Sequence, residues 1–69
     1  MYSTGFRDSD GLVTPKLAKE IEKKQGDIQV FRTGEFVWFI CEDEERLKQF
    51  KAGRPDICQF AISRHYESS

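Results

Sequence analysis

The chain has little of what marks a catalyst or a membrane protein. Its 69 residues hold one histidine, two cysteines and two prolines. The longest unbroken apolar run is "FVWFIC", Phe36 to Cys41, far short of the roughly 18 residues a membrane-crossing helix needs. No glycine-rich phosphate loop is present. Cys41 and Cys58 lack C-x-x-C spacing and sit in apolar runs, so buried reduced thiols are expected rather than a disulfide or a metal pair. The start "MYSTGFRDSD" has no basic stretch leading into an apolar one, so no secretory leader is read. A net charge of −1 excludes the global basic field that drives nonspecific polyanion binding. A soluble, cytoplasmic protein of one domain, residues 1–69, is the expectation.

The lone His65 has no visible orienting carboxylate or nucleophile. The acidic run Glu42 to Glu45 opens a helix, where successive side chains diverge and where capping and the helix dipole account for them. No enzyme activity, metal, cofactor or small-molecule substrate is therefore expected.

What is present is well-punctuated secondary structure. Tyr2 to Arg7 alternates loosely and predicts a short first strand. In "VTPKLAKEIEKKQG", Thr14 suits an N-cap, Pro15 the first helical position and Gly26 the closing turn. Its apolar stripe is thin: Leu17, Ala18 and Ile21. "IQVFRT" follows with period two, Ile28 and Val30 on one side, Gln29 and Phe31 on the other. Thr33 and Gly34 mark a tight hairpin. The return strand has two apolar faces, Phe36, Trp38 and Ile40 against Val37, Phe39 and Cys41. A second helix runs through "EDEERLKQFKAGRP", with Asp43 as N-cap, Leu47 and Phe50 as core contacts, and Gly53 and Pro55 as its stop. "DICQFAISRHYE" predicts a last strand with Cys58, Phe60 and Ile62 inward, and residues 65–69 a frayed tail.

The fold class is thus α+β: a ferredoxin-like βαββαβ sandwich, an antiparallel sheet with two helices on one face. Two helices with narrow stripes cover one sheet face only. If Ile28, Val30, Val37, Phe39, Cys58, Phe60 and Ile62 pack beneath them, then Phe31, Phe36, Trp38 and Tyr2 lie uncovered. A small monomer rarely leaves such a patch unused.

At this point the chain resembles an RNA recognition motif domain. That family's third strand carries the octamer K/R-G-F/Y-G/A-F-V-x-F/Y. The stretch from Arg32 to Phe39 matches it at Arg32, Phe36, Val37 and Phe39, and departs from it at Thr33, Gly34 and Glu35. Tyr2 in "MYSTGF" is similar to the aromatic of the family's first-strand hexamer. The resemblance implies that Tyr2 and Phe36 stack bases, with Trp38 on the same face as a candidate substitute for the aromatic missing at Gly34. Stacking one base on a ring is worth about 1–3 kcal/mol. Arg7, Arg32, Arg54 and Arg64 are the candidates for neutralising phosphate.

Single-stranded RNA or DNA is accordingly one expected partner. The other is protein, because aromatic residues ringed by Arg are also what interface centres use. That reading makes the chain an adaptor, a homodimerising regulator or a small inhibitor, of viral or phage origin among other sources. On either reading the binding residues are Tyr2, Phe31, Arg32, Phe36, Trp38 and Arg64. A third reading folds the N-terminal segment over the sheet and makes Phe36 and Trp38 core.

Overall fold

Local signals set the elements of the computed structural model, which describes residues 1–65. Strand β1 is Tyr2–Arg7 and helix α1 is Pro15–Gln25. Thr14 Oγ1 accepts the Leu17 N–H at 3.2 Å, and Gly26, with φ +74°, closes the helix by donating its N–H to Glu22 O. Strands β2, Gln29–Thr33, and β3, Phe36–Cys41, form a hairpin across Gly34 and Glu35. Gly34 has φ +60°, which the first central residue of a type II′ turn requires. Helix α2, Glu44–Gly53, starts where Asp43 Oδ1 accepts the Glu45 N–H at 2.9 Å. Strand β4 is only Ser63–Arg64.

The four strands form one antiparallel sheet in the order β2-β3-β1-β4. The core lies on the side where α1 meets β2 and α2 meets β1 and β3. Phe39 and Leu47 are fully buried there, the Phe39 and Phe50 rings meet at 5.2 Å, and Ile21 is the buried residue of α1. Cys41 and Cys58 are buried and unbridged. Among the described residues, no buried side-chain nitrogen or oxygen lacks a hydrogen-bond partner, and no helix is long and apolar enough to cross a membrane.

The last strand departs from expectation. From Arg54 to Ile62 the chain is irregular. Its carbonyls are taken by side chains instead of a ladder: Lys51 Nζ donates to Cys58 O and Phe60 O, and Thr4 Oγ1 donates to Phe60 O at 2.7 Å. One backbone bond, from Phe60 N–H to Gly5 O at 2.8 Å, links this stretch to β1. His65, expected to fray, is tied down, its N–H donating to Met1 O and its Nε2 lying 2.6 Å from Ser3 Oγ. The rest of the expected tail, residues 66–69, lies outside the described residues.

Candidate interaction face

Side chains of directly paired residues in antiparallel strands project to the same face of the sheet. β3 therefore sorts the molecule. Val37, Phe39 and Cys41 are buried toward the helices, while Phe36, Trp38 and Ile40 point away from them. Across the β2–β3 ladder, Thr33, Phe31 and Gln29 pair with Phe36, Trp38 and Ile40. Across the β1–β3 ladder, Arg7, Gly5 and Ser3 pair with the same three. With Ser63, which pairs with Ser3 across the β1–β4 ladder, these ten strand positions make up the face that the helices leave open.

Three expected site residues come together on it. Phe31 is 52% exposed and Phe36 39%, and Trp38 between them is half-buried. The Phe36 and Trp38 rings lie 6.1 Å apart at 27°, and Trp38 Nε1 donates to Thr33 Oγ1 at 2.8 Å. Phe31, Trp38, Ile40, Gln29, Thr33 and Met1 enclose a shallow depression of about 450 Å³. The reading that made Phe36 and Trp38 core does not hold, because the N-terminal segment joins the sheet as β1.

The other three lie elsewhere. Tyr2 pairs with Cys41, which puts it on the helix side, where it packs against the core. Arg64 pairs with Tyr2 and shares that side. Arg32 pairs with Val37 and also points to the helix side, where its guanidinium holds Asp8 and donates to Val13 O at 3.2 Å. The Asp8 carboxylate is fully buried. Burial by itself would raise its pKa, but the N–H groups of Val13 and Leu12 and the Arg32 guanidinium outweigh that and hold it below the ordinary carboxylate value. Arg32 is thus already engaged in the fold.

Phe60, expected beneath the helices, crosses to the open face. Its ring lies 5.5 Å from Trp38 and 6.1 Å from Phe36. Gly5 makes the passage possible, since it projects no side chain into the face at the point where Phe60 bonds its carbonyl. Of the other expected phosphate partners, Arg7 is on this face but grips Glu35 at 2.8 Å, and Arg54 lies 3.9 Å from Asp56 at the end of α2. Gln29 and Thr33 border the rings on the β2 side, and Met1 and His65 border Trp38 on the other.

Sequence reasoning also missed the contact between Ser3 and His65. A hydroxyl bonded to an imidazole is one requirement of nucleophilic catalysis. Here Ser3 is buried, and among the described residues no carboxylate orients the His65 ring. The bond ties the residue that follows β4 to β1. Among the described residues no three His, Cys, Asp or Glu side chains gather where a metal ion could be held. Comparison of the chain with protein-family models, with curated proteins and with solved structures finds no match.

Proposed function

We propose that the chain is a small non-catalytic binding module, that the Phe31–Phe36–Trp38 face is its working surface, and that the occupant is a protein. Within this reading the fold is ferredoxin-like, which the βαββαβ element order and the antiparallel order β2-β3-β1-β4 support. The observation that carries the choice of partner is the separation of rings from cations. Among the described residues the aromatic cluster is flanked by Gln29 and Thr33, by one Arg7–Glu35 pair and, beside Trp38, by Met1 and His65, while Arg32 and Arg64 project to the opposite side of the sheet. An apolar centre with a polar rim suits a protein interface. A nucleic acid lying on this face would have few cations for its phosphates.

A second reading, stacking of single-stranded RNA or DNA, draws on the near-parallel, partly exposed Phe36 and Trp38 rings. Titration with 15-nucleotide homopolymers at low salt, read by Trp38 fluorescence, separates the two. The expected result is no quenching by any homopolymer. In addition, a discrete protein from the producing cell should be retained by the wild type and lost with Phe31→Ser plus Trp38→Ala. Quenching whose log K falls with log salt assigns the face to a single strand and overturns the protein reading.

A further inference from the structure

The outer edge of β2 is a second feature the sheet leaves open. β2 ends the strand order on one side, and the opposite edge, β4, is two residues long. With a two-residue turn, Thr33 and Phe36 form a hydrogen-bonded pair, and the pattern alternates from there. Gln29, Phe31 and Thr33 thus turn their N–H and C=O groups toward β3, and Val30 and Arg32 turn theirs outward. One outward group is already occupied in a way that agrees with this register. The Val30 N–H donates to Glu22 Oε2 at 3.1 Å, from α1. Unpaired edges invite strand addition, and a charged side chain placed over one is a common guard.

Beside this edge, α1 and β2 enclose a cleft with an apolar floor of Val13, Pro15, Ala18 and Val30 and with Lys19, Glu22 and the Asp8-paired Arg32 at its rim. Lys16 and Lys23 recur three and four residues from Lys19, on the same side of α1. Among the described residues these three lysines make no ion pair. A second copy of the chain paired edge to edge would set these lysines against their own counterparts. An extended segment carrying acidic residues would meet them with opposite charge. We propose that the outer edge of β2 receives an extended acidic segment of another protein, about five residues long, by strand addition. A carbonyl of that segment replaces Glu22 on the Val30 N–H. Side chains on one face of the added strand enter the cleft, and those on the other lie beside Phe31. The inference stands apart from the aromatic-face reading, since main-chain bonds along the edge carry it.

The test adds capped Glu-Val-Thr-Val-Glu to the full chain and follows amide exchange residue by residue. The Arg32 amide, which points outward, should gain about tenfold protection or more. Shifts should centre on β2 and α1 and spare Phe36. Capped Lys-Val-Thr-Val-Lys should bind about tenfold more weakly. Glu22→Ala, which removes the guard, should bind the acidic peptide roughly three- to tenfold more tightly. Unchanged exchange at Arg32, equal affinity for the lysine peptide, or weaker binding by Glu22→Ala overturns the proposal. Protection at Arg32 that rises with protein concentration alone assigns the edge to a second copy and also overturns it. A failed aromatic face leaves the Arg32 result unchanged, so the two readings fail separately.

Discussion

Replacing Gly5 with alanine perturbs the most crowded backbone position in the sheet. A Cβ built there would lie 2.0 Å from the Val37 carbonyl oxygen and 3.0 Å from its carbon. Ordinary contact needs more than an ångström beyond the shorter distance, and the obstacle is backbone, which no rotamer change relieves. β1 must therefore back away from β3 in the middle of the pairing of Tyr2–Arg7 with Phe36–Cys41. Two weakened ladder bonds cost about 1 kcal/mol each, and overpacking adds roughly 1–2 kcal/mol. The Phe60 N–H bond to Gly5 O is strained at the same time. The total, about 3–4 kcal/mol, is comparable to the whole stability of a domain this small, about 3–5 kcal/mol. Urea titration by circular dichroism should show Gly5→Ala within about 2 kcal/mol of its unfolding midpoint already without denaturant, with a substantial unfolded fraction. Gly53→Ala is the matched control. Its Cβ would meet nothing within 4 Å, and alanine there should stabilise the end of α2 by up to about 1 kcal/mol. A Gly5→Ala midpoint within about 1 kcal/mol of wild type, at unchanged slope, refutes the close approach.

Asp8→Asn should destabilise by about 2 kcal/mol at neutral pH, since the single amide oxygen cannot accept both the Leu12 and the Val13 N–H and the partly exposed Arg32 loses its counter-charge. It should also remove a pH dependence. The folded Asp8 pKa lies below its ordinary value of 3.8, so the unfolded chain takes up the proton first and wild-type stability falls as pH drops below about 4; urea midpoints between about pH 6 and pH 3 check both statements. Burial pushes the Cys58 thiol up to about 11, against the lowering effect of Lys51. With Cys41 also buried, neither thiol should react with a disulfide reagent at about pH 8 in the folded protein; both should titrate in urea.

Elements with a complete local code were legible in the sequence. Thr14, Pro15 and Gly26 delimit α1, Gly34 sets the hairpin, and Asp43 opens α2, because each acts within a few residues of itself. The faces of β1, β2 and β4 were legible too, but only by applying the period of two throughout. Tyr2 has the parity of Phe6, which is buried, Arg32 that of Val30, and Arg64 that of Ile62, both of which pack on the core. Each of these three site residues follows its neighbour to the helix side. Phe60 could not be read this way. It also has the parity of Ile62, but the chain is not a strand there, and its position depends on Lys51, Thr4 and Gly5, remote in sequence. The Ser3–His65 bond, across 62 residues, left no local trace for the same reason.

The sheet thus divides its chemistry by side. Among the described residues, rings, polar groups and the Arg7–Glu35 pair occupy the open face, and lysines that make no ion pair occupy the outer side of α1, with a layer of backbone between them. Among the described residues of β1, β2 and β3, Arg7 is the one arginine or lysine on the side of the rings, and it is committed to Glu35. The two kinds of surface meet along β2, where Phe31 faces one way and Arg32 the other across an outward-pointing backbone. A partner using both would have to present apolar groups on one side and acidic groups on the other with a spacing of one residue. An extended polypeptide does this naturally, because its side chains alternate with the same period as β2. A stacked single strand does not, since its charges follow its bases along one side. This geometry, more than the number of exposed aromatics, is why we propose a protein as the partner.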